Sequence, residues 1–429
     1  MTTQSQPRIV VLGGGFGGLE SAFYLRMMLQ DRVRITLVSD QDHFLFKPNT
    51  IYIPFGLDPG KLKFKLARPA KRRNITLVQA RANEIDPVTR NVYLQGFSDD
   101  ARIPYDFLVV ATGADMNPEE IPGLGTFANT IWTPQEMLRL RASFQQLLAD
   151  AREGGVNGRR QKVLFLVPPN NKCSGPLYEM VMMLDTWLRR KKVRNSVDIT
   201  WSTYEESYIQ AFGPRLHELV SAEFSQRGIA GHNRYVVDWV DSNEVAYRNG
   251  ERLPYDLLVS FPPYAASTRF DSLPLDARGF IATDLESRQV AGYPEVYAVG
   301  DASDFPVKQA FLAFLQADAA AEHVSAQILG TQPQVHFDPV SMCVMEEFDK
   351  ATFAQVPLQL TGRSDRPVEV RQDAVSMYKV GTSGLWRLGK MALGIYLPWR
   401  FKAGNPFHAG VPWKGMEVGL KLMSGLLAG

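Results

Sequence analysis

The sequence predicts an α/β protein made of two Rossmann-like dinucleotide-type halves and a separate C-terminal region. Three observations carry this. A buried strand runs into a glycine turn, a helix and a second strand near the start. The segment Ile103 to Val109 is echoed by Leu253 to Val259, each built around Pro-Tyr-Asp and an apolar run. The last 45 residues change character, with three tryptophans, six basic side chains and a single acid.

The first half opens with Arg8-Ile9-Val10-Val11-Leu12, an apolar run suited to a parallel strand, followed by Gly13-Gly14-Gly15-Phe16-Gly17-Gly18. Gly13, Gly15 and Gly18 fit GxGxxG. The first glycine makes the tight turn, the second lets the backbone approach a pyrophosphate, and the third lets the helix pack on the strand. Phosphate oxygens would sit at the helix N-terminus. The next strand, Val33 to Val38, ends in Ser39-Asp40, roughly 20 residues beyond the glycines, where a ribose acceptor is expected at either residue. Two further apolar strands end in small-residue turns, one at Ala111-Thr112-Gly113 and one at Gly300-Asp301-Ala302. Together these motifs resemble the two-dinucleotide-binding-domain flavoproteins across most of residues 7 to 330. The resemblance implies FAD, with Asp301 accepting from a ribityl hydroxyl. Ala82 is counted with the cofactor contacts.

The second half has its own strand, Lys162 to Val167, and the turn after it reads Pro168-Pro169-Asn170-Asn171-Lys172-Cys173-Ser174-Gly175-Pro176. Prolines remove backbone donors, and side chains at positions meant for glycine block a pyrophosphate. This half is expected to keep the fold without the nucleotide. The expected division is an FAD domain from residues 1–115 and 263–330, a degenerate domain over 116–262, and a C-terminal region over 331–429.

A net charge of +2 with 21% charged residues makes no case for nucleic acid. Met1 to Pro7 is polar, so no secretory signal is expected. No apolar run is long enough to span a bilayer. In the tail, Met416, Leu420, Met423 and Leu427 recur at helical spacing opposite Glu417, Lys421 and Ser424. With its aromatic and cationic flanks this helix suits a membrane interface; packing on the protein body or on another subunit is the competing reading.

Cys173 and Cys343 are the only thiols. Cys173 stands where the second nucleotide turn would carry glycine, at a helix N-terminus, where a thiol is expected to have a lowered pKa. Cys343 lies after the two halves, so the pair can meet only across a shared pocket. Here the residues resemble the sulfide:quinone oxidoreductases. Cys173-Ser174-Gly175-Pro176-Leu177-Tyr178-Glu179 is similar to the first redox cysteine with its Gly-Pro-x-Tyr-Glu continuation, and Cys343 matches the second. Phe44 to Asn49, with Lys47 and Pro48, resembles the loop passing near the flavin. Phe261-Pro262-Pro263-Tyr264 resembles the domain junction, and Pro306-Val307-Lys308 the segment whose lysine faces the flavin. Departures exist. No third cysteine is present, and Ala211 in Tyr208 to Gly213 stands where some members place a histidine.

The resemblance implies that sulfide attacks an oxidised Cys173/Cys343 bridge, either a disulfide or one with extra sulfur. Cys343 would be the cysteine that reacts with the flavin and Cys173 the persulfide carrier. Glu179 is the candidate acid or base, and Lys308 would stabilise reduced FAD. Electrons would pass to a membrane quinone near Phe311, Phe314 and Trp399. A peripheral protein of the cell membrane is implied, and assembly into a homo-oligomer is left open. Rival readings are a flavocytochrome c-type sulfide dehydrogenase flavoprotein, a type II NADH:quinone dehydrogenase, and a catalytically idle flavin-binding sulfur sensor. The six histidines show no metal-ligand spacing, so no metal is expected.

Overall fold

The first sheet has six strands in the order Gln289–Val290, Tyr293–Ala298, Phe107–Val110, Arg8–Leu12, Arg34–Ser39 and Ile75–Gln79. All neighbours are parallel except the first pair. This computed structural model describes residues 6–95 and 101–429; the polar residues 1–5, on which the expectation of no secretory signal partly rests, lie outside it. Strand alternation sorts the apolar side chains onto two faces. Ile9 and Val11 pack against the helices Phe16–Leu29 and Ala310–Leu329. Val10 and Leu12 pack beneath the antiparallel meander Arg81–Asp86, Asn91–Gln95 and Arg102–Pro104.

The second sheet repeats the plan. Five parallel strands run in the order Asn129–Thr130, Leu257–Ser260, Gln161–Val167, Val197–Thr203 and Ile229–His232. Helices Pro134–Asn157, Gly175–Arg190 and Gly213–Arg227 belong to it. A second antiparallel meander, Val237–Val240, Glu244–Tyr247 and Arg252–Pro254, covers Leu164 and Leu166.

The Pro-Tyr-Asp echo has a physical meaning in both halves. The Asp106 carboxylate accepts from the Arg8 backbone N–H at 2.7 Å, and Asp256 accepts from Lys162 N–H at 2.8 Å. Each aspartate clasps the start of its half's central strand, satisfying a donor that the sheet leaves open.

The chain then forms an antiparallel sheet from Val340–Glu346, Ala351–Leu360, Val368–Val370 and Lys379–Ser383, and two helices, Gly384–Lys402 and Gly410–Leu427. Among the described residues no helix is long and apolar enough to cross a membrane. The tail helix forms where its spacing predicts, but its faces need correcting. Leu420, Met423 and Leu427 pack inward with Met342 and Val344 against Phe353 and Trp386. The exposed apolar face is a different one, with Val411, Leu422 and Leu426 joined by Leu388 and Ile395 of the preceding helix.

Candidate active site

A cavity of about 810 Å³ runs between the first glycine turn, the second turn and the C-terminal region. At one end lies Gly13 to Gly17. Gly13 has φ +110°, and a side chain there would collide with the Ala111 carbonyl. Gly18 is not on the wall, because its place is against the Gly13 carbonyl, where the helix closes on the strand. Gly15 is the N-cap of the Phe16–Leu29 helix with no side-chain cap and open space where a side chain would stand. Free N–H groups at a helix end and a glycine cradle fit a pyrophosphate. Ser39 lines the cavity but spends its Oγ on the Gln41 carbonyl at 2.8 Å, whereas the exposed Asp40 is free for a ribose.

Ala111, Thr112, Gly113, Gly300 and Asp301 also reach the wall. Gly300 takes φ +65°, and its N–H donates to Gln316 Oε1 at 2.9 Å. Burial raises the Asp301 carboxyl against the pull of Lys308 and Lys47. Ala82 does not reach the cavity; strand alternation turns it into the core between the meander and the sheet. Pro48 and Lys47 line the wall. The Lys47 ammonium lies 3.2 Å from the Trp132 ring centre and is lowered to about 8 by burial.

Lys308 is 3% exposed, which removes any reading of it as a surface lysine. Its Nζ donates to the Ser303 carbonyl, and burial lowers it to about 7. A buried amine of this kind gains by facing an anion.

Both cysteines line this cavity as free thiols, although they come from different ends of the chain. Gly175 links them. It lies two residues after Cys173, and the Cys343 sulfur is 3.9 Å from the position a Gly175 side chain would take. Burial opposes the low thiol pKa expected at this helix end. Burial raises Cys173 far above its ordinary value and pushes Cys343 up to about 12. Desolvation of a thiolate outweighs the helix end.

The second turn is filled by its own side chains. Asn171, 7% exposed, donates to the Phe261 carbonyl at 2.8 Å and accepts from the Cys173 N–H at 3.0 Å. Ala211 packs on the core, and the neighbouring Phe212 reaches the cavity.

Glu179, one turn into its helix, lines the cavity near Cys343. It pairs with the buried Lys390 and accepts from the Glu346 N–H at 2.9 Å. Burial still raises its carboxyl. Glu346 in turn binds Tyr52 at 2.6 Å and Arg387 at 2.9 Å. Lys390 escaped the sequence reading because it resembles any basic tail residue; only the tertiary pairing singles it out.

At the far end Phe311 and Phe314 line the wall with Phe407 and Trp413. Trp399 is half exposed and absent from the wall, because it projects from the outer face of its helix. One further group was invisible in histidine spacing. Glu20, Asp318 and His408 come from three distant segments, and their ligand-type atoms lie within 4.8 Å of one another.

Residues 7–149 match the family described as pyridine nucleotide-disulphide oxidoreductase. Among curated proteins, the sulfide-quinone reductase of Aquifex aeolicus is 26% identical over 310 residues, covering 70% of this chain and 69% of that protein. An external alternative NAD(P)H-ubiquinone oxidoreductase of Arabidopsis thaliana is 24% identical, over 70% of this chain and 55% of its own length. The crystal structure of the Aquifex aeolicus sulfide:quinone oxidoreductase superposes with a TM-score of 0.83 at 22% identity, over 97% of this chain and 96% of that one. The chain is thus similar to sulfide:quinone oxidoreductases over most of its length in sequence, and over nearly all of it in fold.

Proposed function

We propose that this protein oxidises sulfide at Cys173 and Cys343 beside FAD and passes the electrons to a membrane quinone. The observation that carries the reading is that both thiols line the same cavity as the first glycine turn, Asp301 and Lys308, while the second turn is closed by Asn171.

Gly13, Gly15 and the following helix N-terminus would hold the pyrophosphate, Asp40 a ribose hydroxyl, and Asp301 the ribityl chain. When bound, the flavin accepts two electrons from sulfur and returns them to an acceptor. In the oxidised protein HS⁻ attacks the Cys173 sulfur of the bridge. A sulfur–sulfur bond to Cys173 forms, the bond to Cys343 breaks, and Cys343 leaves as thiolate. Burial disfavours that thiolate, so it is a reactive species. The Glu179/Lys390 pair stands beside Cys343, where Glu179 is the candidate to take or give a proton. Lys308, buried on the same wall, would supply positive charge to a bound flavin when it is reduced.

The exposed apolar side chains of Gly384–Lys402 and Gly410–Leu427, with their basic neighbours, form the membrane-facing surface of a peripheral protein of the cell membrane. Leu393, Leu397, Trp413 and Leu420 of these helices line the cavity, which would give quinone an apolar approach from the membrane side. The division into residues 1–115 with 263–330, 116–262 and 331–429 belongs to the same proposal. An NADH-oxidising alternative is disfavoured by the Asn171 contacts.

The test is anaerobic visible spectroscopy. Sulfide, and not NADH, is expected to bleach the flavin, and a soluble quinone to restore it. Bleaching by NADH would move the protein to the NADH:quinone class, and no response to either would favour a sensor.

A further inference from the structure

Between Lys61 and Arg73 the chain carries seven basic side chains and no acid, in a protein whose net charge is only +2. A surface kept soluble by charge mixes the two signs, so a run of one sign in a nearly neutral chain asks for an anionic counterpart. The sulfide chemistry does not use it. Lys65 is paired with Asp42, and the Arg73 guanidinium is bound to the tail. Lys61, Arg68, Lys71 and Arg72 are exposed and stand in no ion pair among the described residues.

The fold brings this run to the edge of the exposed apolar face. Its residues form the strand Lys63–Lys65 and the short helix Ala67–Arg72, which packs on helix Gly384–Lys402. Pro69 and Ala70 are buried, which turns Arg68, Lys71 and Arg72 outward. Arg73 Nε donates to the Gly404 carbonyl at 2.7 Å across 331 residues of sequence, and the same guanidinium donates to Asn405. Leu66 and Ala70 share a core with Leu397 and Phe401. The run is thus fastened to the end of the helix. On the helix's outer side Leu388, Met391, Ile395 and Trp399 follow at intervals of three and four, each at least half exposed. The next position of that stripe is Lys402, exposed, with its ammonium 5.7 Å from the Phe64 ring centre. The apolar stripe therefore leads directly into the basic run.

We infer that Arg68, Lys71, Arg72 and Lys402 form a headgroup-binding border of the membrane face, and that its partner is a bilayer rich in anionic phospholipids. This rests on the membrane reading above and adds the lipid class. Apolar side chains enter the acyl boundary, where headgroup charge makes no difference to them. The basic border lies at the level of the phosphates, where guanidinium and ammonium groups meet phosphodiester oxygens. A free phosphate would need only the charges and would leave the adjoining stripe in water; a lipid surface uses both. The border also gives docking a direction. Leu393 and Leu397 of the same helix line the cavity, so gripping the headgroups beside this helix holds the cavity's apolar approach against the bilayer.

The experiment floats the flavin-loaded protein with vesicles of phosphatidylcholine alone, or with vesicles in which about a third of it is replaced by phosphatidylglycerol. Wild type should bind both, and the anionic vesicles about tenfold or more tightly. Raising salt from about 0.05 M to about 0.5 M should erase the difference and leave neutral binding intact. The triple variant Arg68→Gln, Lys71→Gln, Arg72→Gln should lose about tenfold to a hundredfold on anionic vesicles, at roughly fivefold per basic side chain, with neutral binding unchanged. Its rate with a long-chain quinone dissolved in those vesicles should fall in step, while its flavin spectrum and its rate with a water-soluble quinone stay at wild-type values. Removing equal charge from the second half, by Arg234→Gln, Arg248→Gln and Arg252→Gln, should leave binding near wild type. Equal affinity of the wild type for the two vesicles would overturn the inference, as would wild-type binding by the first variant or equal loss in both triple variants. Release from the vesicles by inorganic phosphate, but not by chloride of the same ionic strength, would also overturn it by marking a free-phosphate site. Failure to float with either vesicle would sink the membrane reading as well, whereas the sulfide step is tested separately by bleaching.

Discussion

The strands Arg8–Leu12 and Gln161–Val167 occupy the same place in two sheets of the same plan, yet they run into opposite kinds of turn. After the first come glycines that leave room for a ligand's phosphates. After the second come prolines and Asn171, whose side chain bonds across the turn to the Phe261 carbonyl and the Cys173 N–H. The helix that follows the second turn points its start at a sulfur, with Gly175 beside Cys343. On the function proposed above, the same scaffold offers a phosphate cradle after one strand and a thiol after the other. The difference teaches that the turn after the central strand sets the chemistry, and the sheet only aims it.

The sharpest way to break the comparison is to spoil the first turn. Gly13→Ala places a methyl into the Ala111 carbonyl at φ +110°, at a cost of about 1–3 kcal/mol from overpacking alone. Purified Gly13→Ala protein is expected to lack the flavin's visible absorption and all activity. Cys173→Ser and Cys343→Ser act on the other turn and its partner. Each should retain the flavin spectrum while sulfide-driven bleaching in stopped flow falls about a thousandfold or more; a variant that still bleaches at the wild-type rate would remove its cysteine from the reaction.

Lys390→Met should cost about 3–5 kcal/mol in a urea titration, because it leaves Glu179 buried without its partner. Replacing both with a packed apolar pair should recover most of that. Asn171→Ala is smaller, about 1–3 kcal/mol from the unpaired groups it strands, and NADH should still fail to bleach it. If NADH then bleached the flavin, Asn171 would be the barrier that hides a working nucleotide site.

The smallest effect is in the pH dependence of stability. The Asp318 carboxyl is raised from 3.8 to about 8, so between those values the folded protein holds a proton that the unfolded chain releases. Stability from this group is complete below the unfolded value and is lost as pH rises to about 8. His408, lowered from 6.5 to about 4, works in the opposite sense, and its contribution grows with pH up to 6.5. From 6.5 to 8 only the Asp318 effect of this pair remains. Lys308, lowered to about 7, gains stability as pH rises through the same window and opposes Asp318, so the Asp318 effect is read as a difference: from pH 6.5 to 8 the melting temperature of Asp318→Asn should rise relative to that of the wild type.

Much of this was legible in the chain itself. Glycines at fixed offsets after an apolar strand have few other uses, and the Tyr105-Asp106 and Tyr255-Asp256 echo read correctly as a repeat. Two thiols in a long chain also invited a pairing. What could not be read depends on three-dimensional company. Lys390 and Glu179 are 211 residues apart, and Asp318 and His408 are 90 apart. The tail helix shows a different limit. Its apolar residues recur on more than one face, with Leu420 and Met423 inward but Leu422 and Leu426 outward. Periodicity reports that a stripe exists, and only packing decides which stripe is covered. The thiols show a related limit: a helix end is visible in sequence, and the burial that opposes its effect is not.

The aspartate clasps carry one more consequence. Asp106 and Asp256 hold the beginning of each central strand, whereas the cavity-lining glycines and the Cys173 sulfur lie beyond the strand's other end. Mechanical anchoring and chemical novelty are therefore kept a strand's length apart. Substitutions in the second turn meet no objection from the clasp, and such a half can exchange one reaction for another while remaining a folded body throughout.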